Sequence, residues 1–230
     1  MEDLARHLDF ANHHATATPS DIKKLCADVE QYGFHTAFVN PTYVALAKSI
    51  LATHAKVGCV ISFPLGQDAT DVKMAAANKA VSDGADELDI VPNLGLYLSG
   101  DKQGFIADMA KVTESARMFG KPVVIKFILD PGYFDTLPNK KEAMQDVAMC
   151  IQQSGADFVK IGSGMGPRNP TVDDVKIVKE AVPDMKIKAA GGVDTKEKAL
   201  ALITAGADRI GTSHAITIIN GATLQAVKGE

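Results

Sequence analysis

The sequence predicts the α/β class, as a single-domain (β/α)8 TIM barrel over residues 1–230. Three observations carry that expectation. Short, mostly apolar strand-like runs occur eight times, near residues 8, 35, 58, 88, 123, 158, 187 and 209; helix-like segments separate them; and Gly-Ala-Asp stands just before three of the runs, at 84, 155 and 206. Strict alternation of apolar strands with helices implies a parallel sheet covered by helices. Eight such units in 230 residues fit a closed barrel better than an open sheet. A doubly wound sheet would want a Gly-x-Gly-x-x-Gly turn after its first strand, where none occurs.

Each element follows from local chemistry. Leu8-Asp9-Phe10-Ala11-Asn12 is the first strand candidate, with His13 and His14 after it. Thr18 suits an N-cap with Pro19 at the first helical position. That helix carries Ile22, Leu25, Cys26 and Val29 at helical spacing and stops at Gly33. The β-rich run 34–40 is closed by Pro41, and a helix follows through Tyr43, Leu46, Ala47 and Ile50. The third strand, 57–63, ends at Pro64-Leu65-Gly66, and Thr70 or Asp71 is expected to cap an alanine-rich helix reaching Val81. The fourth strand is 87–91. A long helix through Phe105, Ile106, Met109 and Val112 leads to Gly120. The fifth strand, 122–129, is apolar apart from Lys126, and Asp130-Pro131-Gly132 turns the chain into a helix over 140–153. The sixth strand is 158–161. Thr171 or Asp173 begins the helix before the strand of Lys188, Thr195 caps the next helix, and 209–212 is the last strand.

Composition narrows the function classes. The chain is 46% hydrophobic and 23% charged, ordinary for a globular domain. A net charge of −4 without a long basic run argues against nucleic acid. No apolar stretch suits a membrane span, and the N-terminal residues lack the pattern of a signal peptide. Cys26, Cys59 and Cys150 form no Cys-x-x-Cys pair, so buried thiols in a reducing, cytoplasmic setting are expected. Adjacent His13 and His14 point to opposite faces if on a strand, and no partner has zinc-like spacing, so no metal is expected.

The chemistry gathers on lysines in strands. Lys160 lies inside Phe158-Val159-Lys160-Ile161, and Lys188 inside Ile187-Lys188-Ala189-Ala190; both strands run into glycines. A lysine buried in such a strand costs several kcal/mol unless it is paired or neutral. Period-two alternation puts Asp89 on the same side as Glu87, at the mouth of a barrel that Lys160 and Lys188 would share. A neutral lysine is a nucleophile, and a neighbouring cation in an apolar strand favours the neutral amine. The imine it forms with a carbonyl is an electron sink, and Asp89 with Lys188 can move the protons. The competing reading is an ion pair that stitches the core together. Lys126 and Asp130 are accessory candidates for either role.

Glycine-rich turns end the last three strands: Gly162-Ser163-Gly164, Gly191-Gly192 and Gly211-Thr212-Ser213, followed by His214. Small residues let backbone N–H groups converge on an anion, and barrels often hold a phosphate near strands 7 and 8. Ser163, Gly164, Gly191, Gly192, Gly211, Ser213 and His214 are therefore the candidate substrate- or phosphate-binding residues.

Across nearly its full length the chain resembles the deoxyribose-phosphate aldolase family. The resemblance rests on Tyr32-Gly33-Phe34, Val39-Asn40-Pro41-Thr42-Tyr43-Val44, Phe63-Pro64-Leu65-Gly66, Gly84-Ala85-Asp86-Glu87-Leu88-Asp89, Gly155-Ala156-Asp157-Phe158-Val159-Lys160, Lys188-Ala189-Ala190-Gly191-Gly192 and Arg209-Ile210-Gly211-Thr212-Ser213. It implies a class I aldolase that reversibly cleaves 2-deoxyribose 5-phosphate to acetaldehyde and glyceraldehyde 3-phosphate. By position, Lys160 is then the imine-forming lysine, Lys188 the neighbour that lowers its pKa and shuttles protons, and Asp89 the relay carboxylate. It further implies no metal or organic cofactor, small aldehyde and sugar-phosphate substrates, and a homodimer.

Four departures concern the phosphate end and the first strand. Ile161-Gly162-Ser163-Gly164 replaces the family's Thr-Ser-Thr-Gly; Asp194 replaces a basic residue; His214 replaces a small one; and Asp9-Phe10-Ala11 replaces Asp-His-Thr or Asp-Leu-Thr. The terminal Val227-Lys228-Gly229-Glu230 lacks the tyrosine tail of some members. Asp194 beside a phosphate is repulsive, so a weakened preference for the phosphorylated sugar is expected, with His214 a compensating donor if protonated. Other readings are an imine-forming aldolase for an unphosphorylated sugar or another carbonyl donor, a non-catalytic sugar-phosphate-binding barrel, and an isomerase using Asp89 as base.

Overall fold

The computed structural model describes residues 2–52 and 55–221; residues 227–230, with the missing tyrosine tail, lie outside the described residues. Eight strands close into one parallel barrel in chain order. They are β1 (Leu8–Asn12), β2 (Thr36–Val39), β3 (Lys56–Ile61), β4 (Glu87–Ile90), β5 (Val124–Leu129), β6 (Phe158–Ile161), β7 (Lys186–Ala190) and β8 (Arg209–Thr212). The helices are α1 (Glu2–Arg6), α2 (Pro19–Tyr32), α3 (Val44–Ile50), α4 (Thr70–Asp83), α5 (Leu94–Leu98), α6 (Lys102–Arg117), α7 (Lys140–Gln153), α8 (Val172–Ala181), α9 (Lys196–Thr204) and α10 (Ala215–Asn220). The short α1, α5 and α10 carry no strong periodicity and were not expected. The main apolar core lies between barrel and helices: Val159 and Ile161 of β6, Ile187 and Ala189 of β7, and Leu88 and Ile90 of β4 all belong to it. By alternation, Lys160, Lys188 and Asp89 then face the barrel interior.

Thr18 and Thr171 each cap a helix, and each forms a reciprocal capping box with the aspartate three residues on, Asp21 and Asp174. Thr195 caps α9. The expected cap at Thr70 or Asp71 is corrected: α4 starts after Ala69 without a side-chain cap, and the Thr70 hydroxyl instead donates to Asp108 Oδ1 at 2.7 Å. Asp108 also pairs with the buried Lys73, so this corner is fixed by tertiary contacts.

The Gly-Ala-Asp repeat does more than end helices. Its aspartates accept from the backbone N–H of the preceding strand's second residue: Val57 N–H to Asp86 Oδ2 at 3.0 Å, Ile125 N–H to Asp157 Oδ2 at 2.8 Å, and Ile187 N–H to Asp208 Oδ2 at 2.8 Å. The aspartates' own N–H groups donate back to the carbonyls of Val57, Ile125 and Ile187. Three alternate strands are thus clamped to their successors at the barrel's N-terminal rim, opposite the cavity.

Candidate active site

Register places the two lysines side by side: Lys160 of β6 is the direct partner of Lys188 of β7, and Asp89 of β4 is the partner of Lys126 of β5. All four side chains are buried. Asp89 Oδ2 accepts a hydrogen bond from Lys188 Nζ at 2.7 Å and stands 2.9 Å from Lys160 Nζ, the latter an ion contact outside hydrogen-bond geometry. Its other oxygen is 3.2 Å from Lys126 Nζ.

The interior continues downward as a charge network. Lys126 donates to Glu87 Oε2 at 2.5 Å. Arg209 reaches Asp9 Oδ1 at 2.6 Å, Glu87 Oε1 at 3.1 Å and the Thr36 hydroxyl at 2.9 Å. Asp9 Oδ2 closes the circuit on Lys188 Nζ at 2.7 Å. Asp9, Glu87 and Asp89 therefore face Lys126, Lys160, Lys188 and Arg209: three carboxylates against four cations. A buried excess charge is costly, so the barrel favours losing one proton from an amine.

The shifts locate that proton. Burial pushes the Lys188 amine down; Asp89 and Asp9 oppose this, Lys160 and Lys126 add to it, and the net pKa is lowered. Burial raises the Asp89 carboxyl, but Lys126, Lys160 and Lys188 outweigh it and hold it well below the usual range. Lys126 goes the other way: burial lowers it, Asp89, Glu87 and Asp9 overcompensate, and it stays an ammonium. Asp9 is likewise depressed, because Lys188 and Arg209 exceed its desolvation.

A cavity of about 250 Å3 opens above the lysines at the C-terminal ends of the strands. Both lysines line it, as do Ser163, Gly164, Gly191, Gly192, Gly211, Ser213 and His214, so the expected glycine turns come together. Gly211 has a different local role. A Cβ there would stand 2.9 Å from Lys188 Cε, so the missing side chain makes room for the lysine. A Cβ on Gly192, already at φ 65°, would meet Asn169 Nδ2 at 2.2 Å. Asp130 does not border the cavity; its Oδ1 accepts the Ser163 N–H at 2.7 Å and shapes the turn. Asp194 borders the cavity, and Lys198 covers its charge at 2.7 Å from the first turn of α9.

Sequence reasoning missed Asp9, Arg209, His13, Phe38 and Phe63. For Asp9 and Arg209 the signal was present: a charge inside a barrel strand, the same cue that marked Lys160. Phe38 leaves no such cue. Its ring lies across the barrel above Gly58, where a Cβ would come within 2.4 Å of it. Among the described residues, no group of three or more His, Cys, Asp or Glu is placed to hold a metal ion.

A closed parallel barrel with amines and carboxylates converging at the C-terminal strand ends has the design of a barrel enzyme. The chain belongs to the DeoC/LacD family of aldolases, whose model matches residues 5–222. It is an aldehyde-lyase. It is 43% identical over 224 residues to the deoxyribose-phosphate aldolase of Thermococcus gammatolerans, covering 96% of each chain. To that of Thermotoga maritima it is 40% identical over 225 residues, covering 96% of this chain and 86% of the other. Among solved structures, one described as "QR15, an Aldolase" superposes with a TM-score of 0.88 at 35% identity, over 96% of each chain. The tetrameric deoxyribose phosphate aldolase of Aeropyrum pernix gives 0.84 at 30% identity, over 95% of this chain and 90% of that one.

Proposed function

We propose that this aldolase reversibly cleaves 2-deoxy-D-ribose 5-phosphate to acetaldehyde and D-glyceraldehyde 3-phosphate through an imine on Lys160. The relatives' names supply the substrate. The observation that carries the chemistry is one carboxylate oxygen, Asp89 Oδ2, between two amines at the floor of a cavity. Lys188 is boxed in: Asp9 and Asp89 each hold it at 2.7 Å, with the Phe38 ring centroid 3.5 Å from Nζ. Among the described residues Lys160 pairs with Asp89 alone and has the cavity beside it, so Lys160 is the amine that a carbonyl can reach.

The sequence of steps follows. The Lys160 amine passes a proton to Lys188 as it adds to the C1 aldehyde of the open-chain sugar, and return of that proton with loss of water leaves a cationic imine. The C3 hydroxyl gives its proton to a base, and the C2–C3 pair flows into the imine as an enamine while glyceraldehyde 3-phosphate departs. Protonation at C2 and hydrolysis release acetaldehyde. Lys188, with its lowered pKa and its hydrogen bond to Asp89, is the proton carrier. Asp89 stays ionised and balances the imine charge.

The first test compares acetaldehyde release from 2-deoxyribose 5-phosphate and 2-deoxyribose, with Lys160→Ala as control and borohydride trapping of acetaldehyde alongside. Trapping on Lys160, with activity lost in the variant, supports the reading. Wild type as silent as the variant on both sugars, with no trapped adduct, sinks it. The second reading, a preference for the unphosphorylated sugar, is favoured by Asp194 in the cavity wall; comparable or reversed rates on the two sugars would select it. The homodimer and cytoplasmic location belong to the same proposal. Light scattering checks the dimer against the tetramer of the Aeropyrum pernix neighbour.

A further inference from the structure

His13, His14 and His214 all line the cavity, and among the described residues His13 is the one of the three whose ring nitrogen is buried without a hydrogen-bond partner. It follows β1, lines the same cavity as Lys160, and packs against Phe63 with ring centroids 5.5 Å apart. Lys160 Nζ stands 5.7 Å from the centroid of that Phe63 ring, so the imidazole and the amine share one aromatic wall. The Phe38 ring supports His13 from another side at 6.4 Å. Its Nδ1 is sealed from solvent and has no hydrogen-bond partner. A buried polar atom left unpaired is costly and calls for an explanation.

We propose that His13 is a specificity-determining residue whose neutral imidazole hydrogen-bonds a hydroxyl on the chain of the acceptor aldehyde. Three properties suit it to that task. The ring is held between two aromatic side chains, so little freedom is lost on binding. A neutral imidazole offers one N–H and one lone pair, and a hydroxyl can answer either. Burial, with Lys160 and Lys188 adding to it, pushes the ring's pKa down to about 3, so it stays uncharged beside the ammonium and imine states of Lys160. A ring whose pKa is held that low is a weak base and is not protonated to serve as an acid near neutral pH, which leaves recognition. A site built to bond a hydroxyl discriminates strongly against the analogue that lacks it.

The inference rests on the aldolase reading, and the experiment separates the two. Condensation of acetaldehyde is measured with D-glyceraldehyde and with propanal, acceptors of equal carbon number that differ in hydroxyls and lack phosphate. In His13→Leu the ratio of kcat/KM for glyceraldehyde to that for propanal falls about tenfold, the size of one hydrogen bond. His13→Asn carries its amide nitrogen near the Nδ1 position and His13→Gln near Nε2, and recovery of the ratio in either supports the proposal. An active wild type whose His13→Leu variant keeps the same ratio overturns it. So does an equal fall in all three variants, which would mean lost packing. A wild type inert toward both acceptors overturns the aldolase reading and this inference together.

Discussion

Lys188 Nζ lies 3.5 Å from the centroid of the Phe38 ring, closer than any other ammonium–ring contact among the described residues. The ring face attracts the charged form of the amine, while burial, Lys160 and Lys126 favour the neutral form. Asp89 and Asp9 also favour the charged form, so the ring adds its attraction to theirs in setting the protonation of Lys188. Gly58 makes the ring contact possible, because a side chain there would displace Phe38.

Replacing Phe38 by Leu removes the ring and leaves the opposing terms. The Lys188 pKa then falls further, so the acidic limb of the pH–kcat/KM profile moves to lower pH. A cation–π contact of about 0.5–2 kcal/mol corresponds to a shift of about 0.4–1.5 pH units. Stability also drops, by about 1–3 kcal/mol for the lost volume. An unmoved acidic limb would mean that another group controls it.

What could be read beforehand divides along physical lines. β6 and β7 were legible because a lysine framed by apolar neighbours breaks the pattern of a buried strand, and both strands do this. Lys188's partner on the first strand was not, although Asp9 sits in Leu8-Asp9-Phe10 with the same irregularity. A five-residue run holding an aspartate and an asparagine gives a weak strand signal, so its charge looked like a loop's. The Gly-Ala-Asp repeat was legible as a connection but not as a clamp, because the N–H it accepts lies 29, 32 and 21 residues back in sequence for Asp86, Asp157 and Asp208. α4 shows the opposite case. Thr70 has the chemistry of a cap, and Asp108 on α6 takes its hydroxyl instead. Phe38 and Phe63 carry no residue-type signal for a site; only the closed barrel brings them over the lysines.

Acid stability should report His13 directly. Its pKa is lowered from 6.5 to about 3 in the fold, so the unfolded chain binds the extra proton as pH falls below 6.5. Stability is therefore lost with falling pH across the window between those two values. At pH 5 the loss attributable to this ring is about 2 kcal/mol. His13→Leu should show a correspondingly smaller difference in unfolding free energy between pH 7 and pH 5, measured by urea denaturation. Asp9, Glu87 and Asp89 have depressed pKa values, and their contributions fade only at lower pH, in both proteins.

Asp194 is the departure that bears on the phosphate end, and Lys198 changes its meaning. The Lys198 ammonium hydrogen-bonds Asp194 at 2.7 Å and holds its carboxyl below the usual range. The pair leaves little net charge at the rim. Asp194→Asn removes the negative member and frees Lys198 to attract a phosphate. For an exposed pair the gain is about 1 kcal/mol, so KM for 2-deoxyribose 5-phosphate should fall roughly fivefold while KM for 2-deoxyribose stays put. Equal changes for both sugars would show that Asp194 acts on the sugar and not on the phosphate. Salt should narrow the difference, because an exposed charge is screened.

Lys126 never touches the cavity, yet it is part of the proton balance. It lies 3.2 Å from Asp89 and is one of the cations that lowers the Lys188 pKa. Lys126→Met keeps the length and the apolar stem, and leaves Asp9, Glu87 and Asp89 facing Lys160, Lys188 and Arg209. The charges then match with every amine protonated, so the pressure to shed a proton disappears. The Lys188 pKa rises, and the acidic limb of the rate profile moves to higher pH, opposite in sign to Phe38→Leu. Activity near neutral pH drops and recovers as the pH is raised. A purely structural role for Lys126 would lower activity by the same factor at every pH, because a displaced Asp89 is displaced whatever the proton concentration. The double variant separates the two further: if both residues act on the one Lys188 pKa, Lys126→Met and Phe38→Leu together bring the limb back toward its wild-type position.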